Sequence, residues 1–406
     1  MTKKILVMGD YFYPDVQSTG QILTELCTEL QNDFSITVLT SVPSSNTDQY
    51  SEAINYENYQ NLRLVRIKTK PFDKRSKFSR IKHIVEYFFL VRQAIRKLEK
   101  QDIVLAISQP PILGGLQGIY AKKIHKAKFI YNIHDFNPEQ AEAVGYFKFS
   151  FIYKILKMID TSTCKKADKI VIVGSDMKET LRRRGIEEDS KIFLINNWID
   201  EECVYPLADE KVEEFKVKYR IDNKLIIMYS GNIGLYYDLE NIIKVLGKFK
   251  HREDIVFAFV GDGAKREELE LWVKTNCINN IRFIPYQKKE EIIYSLNAAD
   301  VHIVANKKGI KGVSVPSKIY GVMASGKYIL GILEGGSEAA SLIENSSCGC
   351  IIEPGDYSRL HSTIEAIIDT DKVSLAMSGI RGRKYLETYL RKGQAIEKYL
   401  SLFKSL

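Results

Sequence analysis

A lysine that follows Pro316 and Ser317 and precedes the run Ile319-Tyr320-Gly321-Val322-Met323-Ala324 is the most informative chemical feature of this sequence. Pro and Ser there start a helix, which puts Lys318 in the first turn, where the positive end of the helix dipole disfavours a cation by a few tenths to about 1 kcal/mol. An anion nearby offsets that cost, so the chemistry suited to Lys318 is the binding of an anion such as phosphate; the competing reading is a solvated lysine beside a capped helix. Several turns have glycines that let backbone amides approach a phosphate: Ser230-Gly231-Asn232-Ile233-Gly234, Val260-Gly261-Asp262-Gly263, Ser18-Thr19-Gly20 and Gly335-Gly336-Ser337-Glu338. Each also fits a tight βα turn that uses glycine for steric reasons alone. The six cysteines form no C-x-x-C pair and the histidines no H-x-x-x-H, so neither a zinc site nor a disulfide framework is indicated, and a reducing cytoplasm fits best.

These residues need elements to hold them. Short β-branched runs (5–8, 35–39, 62–67, 103–107, 129–133, 169–173) alternate with helical patterns, such as Leu23, Leu26, Cys27 and Leu30 on one face. The rhythm restarts at 225–229, 256–260, 281–284, 301–304, 328–332 and 349–352. Alternation of this kind predicts an α/β chain with two doubly wound, Rossmann-like domains of parallel strands, whose ligands sit beyond the carboxyl ends of the strands. The expected division is 1–200, 201–380, and a helical segment 381–406 on which Tyr385, Tyr389, Ile396, Tyr399 and Leu402 recur at helical spacing.

With 406 residues, 45% hydrophobic and 27% charged, the chain is long enough for two cores and too apolar for disorder. No run reaches the length of a membrane-spanning helix, and the opening Ile5-Leu6-Val7-Met8 is too short for a signal-peptide core, so membrane contact is expected to be peripheral. A net charge of +8 favours an anionic partner: nucleic acid, a membrane surface or a phosphorylated small molecule. No nucleic-acid motif accompanies it. Between Lys68 and Lys100 nine cations, among them Lys74, Arg75, Lys77, Arg80 and Lys82, interleave with Phe72, Phe78, Tyr87, Phe88 and Phe89, and Tyr146-Phe147-Lys148-Phe149 opens a second such stretch. That mixture suits docking on an anionic membrane; the alternative is an amphipathic helix with its rings in the core.

The ordered set Tyr11-Phe12-Tyr13-Pro14 with Gly20, Asn197-Trp198-Ile199-Asp200, Ser230 to Gly234, Val260 to Gly263, and Pro316-Ser317-Lys318 through Lys327 resembles glycosyltransferase family 4 over nearly the whole chain. The likeness is nearest to a branch of bacterial cell-surface polysaccharide enzymes that includes fucosamine transferases. It implies two Rossmann-like domains facing a cleft, the C-terminal one binding a nucleotide-sugar and the N-terminal one the acceptor, with retention of configuration and no required metal or other cofactor. It further implies a UDP-sugar donor, an N-acetylated amino sugar first among candidates, and a lipid-linked acceptor at the inner face of the cell membrane, in capsule or O-antigen synthesis. Carried onto this sequence, it implies catalytic Lys318, His134 and Asp135. Donor contacts are implied for Gly231, Asn232, Gly234, Gly261, Tyr286, Ser317, Gly336, Ser337 and Glu338, and an acceptor or phosphate loop at Ser18, Thr19 and Gly20. Two departures stand out: Val313 and Gly321 lie where many members carry glutamates, and Asn232 and Tyr237 lie near the places of an Arg and a Lys, which shifts the phosphate burden onto Lys318, with Lys307, Lys308 or Lys311 as aids. Competing assignments are a sugar-nucleotide epimerase of the same architecture and a non-catalytic partner subunit.

Overall fold

The computed structural model describes residues 2–15, 17–43, 46–71, 76–145 and 150–406. Eight strands form a first sheet: β1 (Lys4–Met8), β2 (Ser35–Ser41), β3 (Ile54–Tyr59), β4 (Leu62–Ile67), β5 (Ile103–Ile107), β6 (Lys128–Ile133), β7 (Lys169–Ile172) and β8 (Ile192–Leu194). Their spatial order is β3-β4-β2-β1-β5-β6-β7-β8, and only β3 runs antiparallel, paired with β4 at the edge. Near-continuous apolar runs are what strands covered on both faces require: all five residues of β5 are buried.

A second sheet holds β9 (Leu225–Ser230), β10 (Ile255–Val260), β11 (Ile281–Ile284), β12 (Val301–Ala305), β13 (Tyr328–Ile332) and β14 (Gly349–Ile352), all parallel, in the order β11-β10-β9-β12-β13-β14. The two doubly wound sheets predicted from the periodicity are both present. In each, the strand order reverses at one place, between β1 and β5 in the first and between β9 and β12 in the second, and the loops leaving those strands diverge to open a crevice there.

The C-terminal segment differs from expectation in being two helices, Lys372–Tyr389 and Lys392–Lys404. They break at Leu390, and a new helix starts where the Gln394 side-chain oxygen accepts the Arg391 N–H (3.2 Å). The first packs on the second sheet's half; the second crosses back. Its Ala395, Tyr399, Leu402 and Phe403 join the apolar cluster of Leu23, Leu26, Phe34 and Trp198, and Asn132 donates to the buried Tyr399 hydroxyl (2.9 Å). Burial of three large side chains at about 1.5–3 kcal/mol each makes this crossover a firm tie between the halves.

Candidate active site

The crevice of the two sheets is one cleft of about 880 Å³ between the halves, floored by residues at the ends of three of the four strands at the reversal points: Gln109 after β5, Ser230 and Gly231 at the end of β9, and Asn306 after β12. Its C-terminal wall is built by two glycine turns in contact. Gly231 and Gly261 have φ of +133° and +137°, and a Cβ on Gly261 would fall 2.0 Å from the Gly231 carbonyl oxygen, so only glycine permits the two loops to meet. The Gly231 carbon is bare on the side of Lys318, where a Cβ would lie 3.6–3.7 Å from the end of the lysine chain.

Lys318 begins the helix Lys318–Ala324. Its ammonium lies 3.7 Å from the ring centroid of Tyr229 and 4.1 Å from that of Tyr237, is shielded from water, and has no hydrogen-bond partner among the described residues. Burial pushes its pKa well below the usual lysine range. The two ring faces attract a cation, by about 2 kcal/mol or more when water is excluded, but desolvating an ammonium without a counter-ion costs several kcal/mol, so burial wins. The Tyr229 ring is fixed because its hydroxyl donates to the Asn232 carbonyl (2.7 Å). Neither tyrosine was legible as part of a cage: Tyr229 reads as an ordinary buried strand residue, and only its pairing with Tyr237 reveals the role.

The N-terminal wall carries His134 and Asp135, which follow β6, and Ser18 and Thr19 at the start of the helix Ser18–Leu30. Both residues after β6 are held by Ser108, whose hydroxyl accepts their backbone N–H groups (3.2 and 3.3 Å). Burial lowers the His134 pKa to about 4, so its imidazole is neutral near pH 7, and its Nε2 has no partner among the described residues. Burial raises Asp135, against hydrogen bonds that favour the carboxylate, including one from Gln140 (3.1 Å). Neutral His134 can give or take one hydrogen bond but has no spare proton to donate as an acid.

The other expected site residues divide. Gly231, Asn232, Gly261, Ser317 and the half-exposed Tyr286 line the cleft with Lys318. Ser317 makes no capping bond to the helix; its hydroxyl instead lies 3.3 Å from that of Ser18 across the cleft. Gly234 and Gly20 stand behind the wall, the first against the Asn232 side chain and the second against Tyr11. Gly336, Ser337 and Glu338 are not brought to the cleft. The Gly335 N–H donates to Glu353 (2.7 Å), Lys311 reaches the Gly335 carbonyl, Ser337 caps the helix Glu338–Ser346, and Glu338 bonds to the N-terminal half. Lys311 does not line the cleft. Val313 and Gly321 are buried, and Gly321 borders the cleft.

Comparison with known proteins adds to this geometry. Residues 19–202 match the family model described as Glycosyltransferase Family 4, and residues 211–382 match Glycosyl transferases group 1. The protein named "Probable glycosyltransferase WbjE" of Pseudomonas aeruginosa is 26% identical, over 92% of this chain and 91% of its own length. The protein named "Putative colanic acid biosynthesis glycosyl transferase WcaI" of Escherichia coli (strain K12) is 24% identical over 69% of this chain and 68% of its own. The crystal structure of Anabaena HepE in complex with UDP and glucose superposes with a TM-score of 0.75 at 14% identity, covering 100% of both chains. With its two facing doubly wound halves, its cleft at their reversal points and matches that run through both halves in order, this chain belongs to glycosyltransferase family 4 and is an enzyme of the glycosyltransferase class.

Proposed function

We propose that the C-terminal half holds a UDP-sugar, with an N-acetylated amino sugar the first candidate, and that the N-terminal half presents a lipid-linked saccharide acceptor, in assembly of a bacterial surface polysaccharide such as capsule or O-antigen. The observation that carries this reading is Lys318, whose buried Nζ has no hydrogen-bond partner among the described residues and lies beside the bare backbone of Gly231. A nucleoside diphosphate arriving there supplies the missing anion, returns the lysine to its charged form and is in turn stabilised as it leaves. The donor class is supported by the UDP complex of the structural neighbour, and the polysaccharide by the name of the Escherichia coli relative. Neutral His134 and Asp135 face the transferred sugar or the acceptor hydroxyl from the opposite wall, and transfer proceeds with retention and without a metal.

Lipid presentation is supported by the helix Lys77–Lys97. Its inner face, Tyr87, Leu90, Val91, Ala94 and Ile95, packs in the core of the N-terminal half, while Phe78, Ile81, Val85 and Phe89 form an exposed stripe, with Phe78 79% and Phe89 63% exposed. Arg80 and Lys82 are exposed beside them, and Phe151, Ile152 and Met158 are exposed on the helix Ser150–Lys166. Apolar rings flanked by cations suit the headgroup region of an anionic leaflet, here the inner face of the cell membrane. Phe72, Lys74, Arg75 and the stretch 146–149, which belong to the same expectation, lie outside the described residues. No described helix is long and apolar enough to cross a membrane.

A thermal-stability screen of nucleotide-sugars tests the donor class. A true donor at 100 times its dissociation constant adds about 2.7 kcal/mol, and a preference for guanosine diphosphate sugars overturns the base assignment. Loss of transfer in chelator overturns the metal-free mechanism. Co-sedimentation with phosphatidylglycerol vesicles tests the surface: binding is expected at low salt, and binding unchanged in Phe78→Ser/Phe89→Ser refutes it.

A further inference from the structure

The segment that delivers Lys318 to the cleft is held by the opposite half of the molecule. Residues 306–317 connect β12 to the lysine's helix, yet Val313 and Val315, 5% and 7% exposed, are packed in the apolar core of the N-terminal half with Ile133, Phe136, Val173 and Met177. The backbone is bound there as well. Phe136 N–H donates to the Val313 carbonyl (2.9 Å), Asp135 and Ser314 form an antiparallel bridge, Gly312 N–H donates to Asp176 Oδ2 (2.8 Å), and Thr180 Oγ1 donates to the Gly312 carbonyl (2.7 Å).

A second tie lies beside it. The Glu338 carboxylate accepts three hydrogen bonds from the N-terminal half: from Ser175 N–H (2.7 Å), Ser175 Oγ (2.6 Å) and Asn196 Nδ2 (2.7 Å). Gly174 marks the close approach that joins both ties, because a Cβ on it would meet Val315 Cγ2 at 2.7 Å and Glu338 Cβ at 3.0 Å. Only Pro316 and Ser317 separate Val315 from Lys318, too short a span for the lysine to keep its place if the valines leave their socket.

We infer that Glu338 and Gly174 are positioning residues: by seating the 310–315 segment in the N-terminal core, they set Lys318 against the cleft, so that the donor-side lysine is in place only when the two halves are docked. The inference rests on the reading of Lys318 as the diphosphate-binding group. It explains why Glu338 lies outside the cleft and yet is almost completely buried in hydrogen bonds to the other half. It also places the acceptor-side turn 133–136 and the donor-side segment in one continuous core, so a disturbance of the first is felt by the second.

The test is a double-mutant cycle on UDP affinity, read by calorimetry on the full chain, with amide hydrogen exchange as a second measurement. Glu338→Ala is expected to weaken UDP binding about tenfold, while the same change in a Lys318→Ala background adds nothing. Exchange over residues 309–317 rises in Glu338→Ala and again in Gly174→Ala. The pair Glu338→Gln/Asn196→Asp, which exchanges donor and acceptor at the tie, restores affinity to within about threefold of the wild type. An effect of Glu338→Ala that persists undiminished without Lys318, or an unchanged affinity, overturns the inference. Should the wild-type chain bind no UDP, the donor reading falls, and exchange alone decides: unchanged rates over 309–317 in Glu338→Ala overturn the positioning role.

Discussion

Two glycine turns that look alike in the sequence, Ser230-Gly231-Asn232 and Gly335-Gly336-Ser337, end up with opposite duties. Gly231 leaves its strand at the point where the sheet order reverses, presents bare backbone to the cleft and leaves room for Lys318. Gly335 follows β13, one strand away from the reversal; there its N–H is taken by Glu353, its carbonyl by Lys311, and the helix that follows is tied to the opposite half. Whether a glycine turn stays open to a ligand therefore depends on its strand's place in the sheet and on what neighbouring side chains leave unclaimed. Composition alone supplies neither.

The largest expected effect is at the lysine that the first turn shelters. Lys318→Ala removes the only described cation placed to meet charge beside Gly231, and loss of one such group costs on the order of a hundredfold to a thousandfold in turnover. Stability is expected to hold or rise, because a buried amine without a hydrogen-bond partner among the described residues is removed. Steady-state kinetics beside a thermal melt checks both, and more than half of wild-type turnover would break the comparison at its first term.

Next comes the turn itself. Gly231→Ala places a Cβ at φ +133°, outside the range open to alanine without strain of about 1–3 kcal/mol, and beside the Lys318 ammonium. Donor affinity is expected to fall by about tenfold, equivalent to about 1.4 kcal/mol. Calorimetry with UDP reads it directly, and unchanged affinity would remove the turn from the donor site.

Most of the fold was legible because β-branched runs covered on both faces have little alternative. Residues 62–67, 103–107, 281–284, 328–332 and 349–352 are strands at the bounds their apolar runs mark. Strand β3 escaped because Asn55, Glu57 and Asn58 on an antiparallel edge carry no buried run, and β8 because three residues give no period. The site was legible only in part. Lys318 is marked by helix-start chemistry, whereas His134 and Asp135 are marked only by the resemblance to the family. The tyrosine cage and the Glu338 tie depend on contacts between residues 81 to 163 positions apart in the chain, which no local spacing encodes.

Each half of the molecule also meets pH through one buried histidine at the cleft. His134 on the N-terminal wall and His302 in β12 both have their pKa lowered by burial from the usual 6.5 to about 4. The unfolded chain thus binds more protons than the folded one between those values, and stability present above pH 6.5 is lost as pH falls toward 4, on the order of 3 kcal/mol for each histidine. Asp135, raised by burial, works in the opposite direction. The difference between the wild type and His134→Gln isolates the histidine: denaturant melts at pH 7 and pH 5 are expected to show a smaller loss in the variant, and an identical loss would show that His134 is solvated.

The smallest effect belongs to the second turn. Gly336 has φ +71°, in the left-handed region, where alanine costs about 1–2 kcal/mol, and the Cβ would meet only the end of the flexible Lys311 chain, at 3.0 Å. Gly336→Ala is therefore expected to lower stability by about 1 kcal/mol and to leave turnover and UDP affinity within about twofold of the wild type. The contrast with Gly231→Ala is the sharpest form of the comparison, since both substitutions add one methyl group to a glycine of positive φ. If Gly336→Ala weakens UDP binding as much as Gly231→Ala while the tie at Glu338 stays protected from exchange, the second turn contacts the donor directly, and the assignment of opposite duties fails.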